Sequence, residues 1–143
     1  MKVANEAEMA AFMKEHFLCV LSTVNEQGRP EAAFVGYVSC RDHEIIIGTS
    51  NESRKFQNLQ RNASVAIVIA DQTGEVQYEG KAEVITGSDY EALVADGHFG
   101  KLPGLDKYRD DPAQVYVRVR PTWIRFIVHG ETDQVREFTE FAK

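Results

Sequence analysis

The chain has 143 residues, 43% hydrophobic and 27% charged, with 16 basic against 22 acidic side chains and a net charge of −6. That length suits one domain with its own core, so residues 1–143 are read as a single domain. The acidic balance argues against a nucleic-acid surface, which rewards clustered Lys and Arg, and no apolar run approaches the roughly 20 residues of a spanning helix. Glu6, Glu8 and Glu15 near the N-terminus do not suit a signal or transit peptide, so the expectation is a soluble, cytoplasmic protein with no membrane partner.

In chain order, Asn5 with Glu8 three residues on fits a helix N-cap, and Ala7, Met9, Ala10, Met13 and Phe17 give a helical stripe up to His16. Residues 17–24 (FLCVLSTV) predict a strand too apolar to have a fully wet face; 25–28 turn the chain, and 29–39 run back as an antiparallel partner. On that second strand Arg29, Glu31, Ala33, Val35 and Tyr37 share one face, and Pro30, Ala32, Phe34, Gly36 and Val38 the other. The small residues Ala32, Ala33 and Gly36 leave space that either a flat ring or neighbouring core side chains could fill.

Residues 44–49 predict a third strand, 53–61 a helix and 63–70 a fourth strand. Residues 75–86 (EVQYEGKAEVIT) alternate cleanly, as a half-buried strand does, and Ser88 opens a helix to about Ala95. The segment 96–112 reads as a long, polar, Gly- and Pro-punctuated connection, of a length that is often functional or partly mobile in a compact domain. Residues 113–119 and 122–128, split by Arg120 and Pro121, predict two further strands, and 136–142 a short terminal helix. Seven short strands with peripheral helices suggest a mainly β fold, a closed or split antiparallel β-barrel.

Ordinary hydrolase, nucleotide-phosphate and thiol-redox motifs are absent, and the four histidines have no partner at metal-ligand spacing, so no metal is expected. Cys19 and Cys40 lie inside predicted strands and read as buried free thiols; Asp110 and Asp111 read as a solvated turn. The remaining cluster is Thr49, Ser50, Ser53, Arg54 and Lys55, at the turn into the second helix. Hydroxyls, two cations and free amide hydrogens at a helix N-terminus make a candidate phosphate cradle. Equally, Ser53 could simply cap the helix, with Arg54 and Lys55 solvated.

The strand FLCVLSTV, Gly28-Arg29-Pro30 leading into EAAFVGYV, Thr49-x-x-x-Ser53-Arg54-Lys55, Asn58-Leu59-x-x-Asn62-Ala63-Ser64-Val65 and Tyr78-x-Gly80-Lys81-Ala82-Glu83 together resemble the pyridoxamine 5′-phosphate oxidase-like family of flavin-binding split barrels. Pro121-Thr122-Trp123-Ile124-Arg125 is similar to the family's last strand. The resemblance implies a Greek-key split barrel and a homodimer with FMN sites at the subunit interface. It places Thr49, Ser50, Ser53, Arg54 and Lys55 around the flavin phosphate, Ala32, Ala33, Phe34 and Val35 beside the flavin, and Trp123 and Arg125 near it from the partner copy.

The chain departs from the vitamin-forming oxidases where they carry Arg and Lys on the second strand: here stand Ala33 and Val38. Glu75 replaces their flavin-contacting Gln, with Gln77 two residues on, and their C-terminal Arg-x-His is missing, so pyridoxine phosphate is not expected as substrate. The expected activity is that of an FMN-dependent oxidoreductase acting on a small molecule, with Tyr37, His98 and Arg125 as candidates for touching it. The alternatives are a non-catalytic flavin-binding or stress-related protein, or a relative that binds the deazaflavin F420 or, with only scattered histidines as axial ligands, haem.

Overall fold

Period-two alternation of apolar residues runs through most of the chain, and the computed structural model, which describes residues 3–95 and 111–142, shows what it builds. Helix α1 (Glu6–Glu15) precedes strands β1 (Leu18–Val24), β2 (Pro30–Ser39) and β3 (Ile45–Ser50). Helix α2 (Arg54–Arg61) leads into β4 (Ser64–Asp71) and β5 (Gly74–Ile85), and α3 (Gly87–Ala95) precedes β6 (Gln114–Val128) and β7 (Gln134–Phe138). All pairings are antiparallel in the order β3-β2-β1-β4-β5-β6-β7, and β3 also pairs with β6, so six strands close into a barrel with β7 outside the ring. This is the expected antiparallel split β-barrel.

Inward residues fill the ring: Leu21, Ile45, Ile47, Ile67, Ile69, Val76, Tyr78, Val117, Val119, Ile124 and Phe126 form one cluster, to which α1 adds Met9, Phe12 and Met13. Each such large apolar side chain contributes about 1.5–3 kcal/mol by leaving water. Tyr37 is wholly buried beneath α1 and donates its hydroxyl to the Met13 carbonyl at 2.6 Å, satisfying a group that the helix end leaves unpaired. A smaller cluster unites Val38, Ile46, Ile85, Tyr90 and Tyr116, with the two tyrosine rings stacked 4.3 Å apart, and anchors α3.

Two predicted elements are corrected. The two strands expected at 113–119 and 122–128 are one strand, β6, whose register against β5 slips between Glu79 and Gly80 so that Thr122 is extra. Pro121 is tolerated because it falls where β6 changes neighbours: the β3 ladder ends at Val119 and the β7 ladder begins at Ile124. Gly80 faces it, and a Cβ there would stand 2.5 Å from the Arg120 carbonyl oxygen. The expected terminal helix is instead β7, since the second half of β6 offers an unpaired edge once β3 has left it, and five paired residues there outweigh the marginal stability of so short a helix.

Of the segment 96–112 only Asp111 and Pro112 are described; the expected connection, with His98 and Asp110, otherwise lies outside the described residues. Cys19 and Cys40 are buried and unpaired, as expected, and burial pushes each thiol up to about 12.

Candidate functional site

The turn from β3 into α2 is built from hydroxyls. Ser53 is the N-cap; its Oγ accepts the Phe56 amide at 3.2 Å and donates to the Ser50 carbonyl at 2.8 Å. Its hydrogen being committed, Thr49 Oγ1 is the donor in their 3.1 Å contact. Thr49, next to last in β3 and in register with Val115, is buried, while the Ser50 hydroxyl accepts the Glu52 amide at 3.1 Å. Ser53 thus caps the helix, and the hydroxyls of Thr49 and Ser50 stand beside it at the helix's positive end.

Arg54 and Lys55 extend from that end over β2. With Leu21, Thr23, Glu31, Ala32 and Ala33 they line a cleft of about 190 Å³ between β2 and α2. Lys55 has no ion pair or side-chain hydrogen bond among the described residues, whereas Arg54 Nη1 lies 3.2 Å from Glu31 Oε2.

Glu31 is held from three directions. Asn58 Nδ2 donates to Oε1 at 2.8 Å, and Asn25 Nδ2 joins Arg54 on Oε2 at 3.2 Å. The hydrogen bonds from Asn58 and Asn25, aided by the charges of Arg54 and Arg61, hold its carboxyl below the usual carboxylate range despite some desolvation. Asn58 is buried, reaches Thr23 Oγ1 at 3.0 Å and takes an Arg61 donor at 3.3 Å, tying α2 to the hairpin. The sequence alone does not show this network; the signal in it is that Glu31 shares a strand face with Ala33, Val35 and Tyr37, and where that face turns inward a carboxylate requires partners.

The other expected site residues separate. Ala32 is exposed and Ala33 half-buried at the cleft; Val35 turns into the core, and Phe34, 69% exposed, points outward. Trp123 and Arg125 lie on the second half of β6, with Arg125 5.4 Å from the Trp123 ring centre and Arg125 Nε donating to Glu137 Oε1 on β7 at 3.0 Å. Neither lines the cleft of Arg54 and Lys55, and among the described residues no hydrogen bond joins them to those two cations within one copy. Tyr37 is sealed beneath α1, and burial pushes its phenol well above the ordinary range.

The three described histidines each face a carboxylate: His16 Nε2 lies 2.9 Å from Asp71, His43 Nε2 2.9 Å from Glu6, and His129 Nδ1 3.4 Å from Asp133. Among the described residues no group of three His, Cys, Asp or Glu side chains could hold a metal ion, and no helix is long and apolar enough to cross a membrane. A second cleft of about 340 Å³ lies over the outside of the barrel, where Phe17, Leu18, Val20, Phe34 and Val68 meet His16.

A closed six-stranded antiparallel ring, an outlying seventh strand, and a helix entered through Ser53-Arg54-Lys55 define a split barrel of the pyridoxamine phosphate oxidase type. The chain belongs to that family: the model described as pyridoxamine 5′-phosphate oxidase matches residues 6–128, everything but the N-terminal turn and the segment containing β7. No curated protein matches it. Among solved structures it is similar to ChuZ of Campylobacter jejuni, at 19% identity and a TM-score of 0.76 over 94% of this chain, which spans only 58% of that one. The heme storage protein HutZ of Vibrio cholerae aligns at 20% identity and a TM-score of 0.69, covering 97% of this chain and 95% of its own. The general stress protein 26 of Bacillus anthracis str. Sterne aligns at 20% identity and a TM-score of 0.68, over 83% and 91% of the two chains. At such identities the likeness speaks for the fold alone.

Proposed function

We propose that the chain binds FMN in the cleft between β2 and α2 and works as an FMN-dependent oxidoreductase on a small molecule. The observation that carries this reading is the meeting, around one cleft, of Arg54 and Lys55 at a helix N-terminus with the small side chains of Ala32 and Ala33. The donor set fits the group: two cations and helix amides suit a phosphate dianion, and the alanines leave a ring room to approach the strand. Thr49, Ser50 and Ser53 stand around the phosphate, and Phe34 and the β2 backbone at Val35 border the flavin. The flavin supplies the hydride or electron chemistry; the residues bind and orient it.

The functional unit in this reading is a homodimer. The outer faces of β1, β2 and β4 carry Leu18, Val20, Phe34 and Val68 in adjacent register, an apolar patch that a second copy would cover. Trp123 and Arg125, remote from the cleft within one copy, then approach the flavin from the partner. A cytoplasmic location accords with flavin chemistry of this kind.

A second reading, haem binding, is favoured by the likeness to HutZ, a heme storage protein. Against it, the three described histidines each face a carboxylate. F420 makes the same phosphate demand as FMN, and the likeness to a general stress protein leaves room for flavin binding without turnover.

An absorbance spectrum of the purified protein separates flavin, deazaflavin and haem. Arg54→Ala with Lys55→Ala is expected to weaken FMN binding by about 1.5–3 kcal/mol for each charged hydrogen bond lost. A colourless protein that leaves added FMN fluorescence unquenched would end the flavin reading. FMN binding with no reduction across a panel of nicotinamide and small-molecule donors would leave a flavin-binding protein without turnover.

A further inference from the structure

We propose that Glu31 is the specificity residue of the cleft: as a built-in carboxylate seated on Arg54, it sets how strongly the cleft favours a phosphorylated ligand over the same ligand without phosphate. The proposal rests on the reading above, that a phosphate ester occupies the cleft. Its basis is an asymmetry between the two partners of the ion pair. The Glu31 side chain is 21% exposed and the Arg54 side chain 79% exposed. Asn58 and Asn25 hold the carboxylate independently of Arg54, Asn58 from a buried position and Asn25 from the hairpin turn, where its own Oδ1 accepts the Gln27 and Arg29 amides at 3.0 Å each. Arg54 has no comparable second anchor among the hydrogen bonds of the described residues.

An incoming phosphate therefore draws Arg54 away while Glu31 stays. The cleft then presents Arg54 and Lys55 to the dianion with one fixed negative charge beside them. Because the Asn58 and Asn25 hydrogen bonds hold its carboxyl below the usual range, Glu31 keeps that charge throughout neutral pH. The opposition falls on the phosphate and leaves contacts of a ring with Ala32 and Ala33 untouched. Only a ligand that adds such contacts to its phosphate overcomes the internal pair; inorganic phosphate gains least.

Glu31→Gln tests this by removing the charge while keeping the side chain's shape. FMN, riboflavin and inorganic phosphate are titrated against both proteins, the flavins by fluorescence and phosphate by calorimetry, and Glu31→Ala is run alongside in case the amide fits poorly between the two asparagines. Thermal melts establish that each variant is folded. The expected result is FMN and phosphate binding about three- to tenfold tighter in the variants, the influence of one unit charge a few ångströms away across a wet cleft, with riboflavin unchanged. If the parent protein takes neither flavin while phosphate still tightens, the flavin reading falls and the role of Glu31 stands. Folded variants in which FMN and phosphate bind no tighter than to the parent, or in which riboflavin shifts as much as FMN, overturn the role of Glu31. Phosphate binding undetectable in every protein counts against it equally.

Discussion

Two parts of the barrel's outer surface share the same core behind them and differ in what they present to water. Over β2, β1 and β4 the outward positions are Ala32, Phe34 and Gly36; Leu18, Val20 and Ser22; and Ala66, Val68 and Ala70, with no charge among them. Val20 pairs directly with Phe34 on one side and Val68 on the other. Over β5 and β6 the outward positions are Glu75, Gln77, Glu79, Lys81 and Glu83 beside Arg118, Arg120, Trp123 and Arg125. Arg118 and Arg120 each reach Glu44 and Glu83, so that this face is laced by ion pairs. One strand pair, β4 and β5, is the seam, where Val68 meets Gln77 and Ala66 meets Glu79. The contrast teaches that closure of the barrel explains only the inward residues. The outward ones differ by face: charged and paired side chains over β5 and β6, and an exposed apolar patch over β1, β2 and β4 of the kind that marks an interaction surface.

The sharpest way to break the contrast is to make the apolar face resemble the other. Phe34→Asp puts a charge at its most exposed ring, and burying an unpaired charge at a protein interface costs at least about 2 kcal/mol. The parent protein is expected to sediment as a dimer and the variant as a folded monomer with an unchanged circular dichroism spectrum. A parent that sediments as a monomer would remove the second copy as the cover of this face.

A smaller effect is expected on the charged face. Arg118→Ala removes a guanidinium 2.7 Å from Glu83 and 3.9 Å from Glu44, an ion pair in contact with solvent, and should lower unfolding free energy by about 0.5–1 kcal/mol in chemical denaturation, less at high salt. Association should not change. A loss of dimer on Arg118→Ala would mean that the interface lies on this face instead.

Much of this was legible in the sequence because the ring strands follow period two. FLCVLSTV reads as a strand too apolar to have a fully wet face, and 75–86 shows its two faces through five alternating polar residues. In residues 113–128 the sequence makes Pro121 look like a terminator, whereas its tolerance depends on the neighbour exchange from β3 to β7, which is a property of the sheet. The strand at Gln134–Phe138 was missed for the same reason, since the edge that recruits it exists only once β6 has folded. At the site, the cap and the cations could be read from Thr49 to Lys55, because a helix N-terminus is local. The Glu31 network could not, as it joins Asn25, Glu31, Arg54 and Asn58 from three elements with no fixed spacing.

The smallest expected effect concerns β7, which lies outside the family's matched segment and pairs with the second half of β6 at the edge of the charged face. Glu137 accepts from Arg125, and that hydrogen bond, with the Arg125 charge and a further hydrogen bond from Trp123, holds its carboxyl below the usual range against the opposing effect of desolvation. A carboxyl depressed in the folded state stabilises it at pH values above its unfolded titration, and that contribution disappears as pH falls through the folded value. Glu137→Gln should therefore melt below the parent at neutral pH, and the gap should close as pH is lowered through the carboxylate range. The group stands at the surface, so added salt should narrow the gap as well. A gap that stays constant with pH would show that Glu137 holds β7 by packing and neutral hydrogen bonds, and that this edge of the charged face, like the apolar one, owes little to charge.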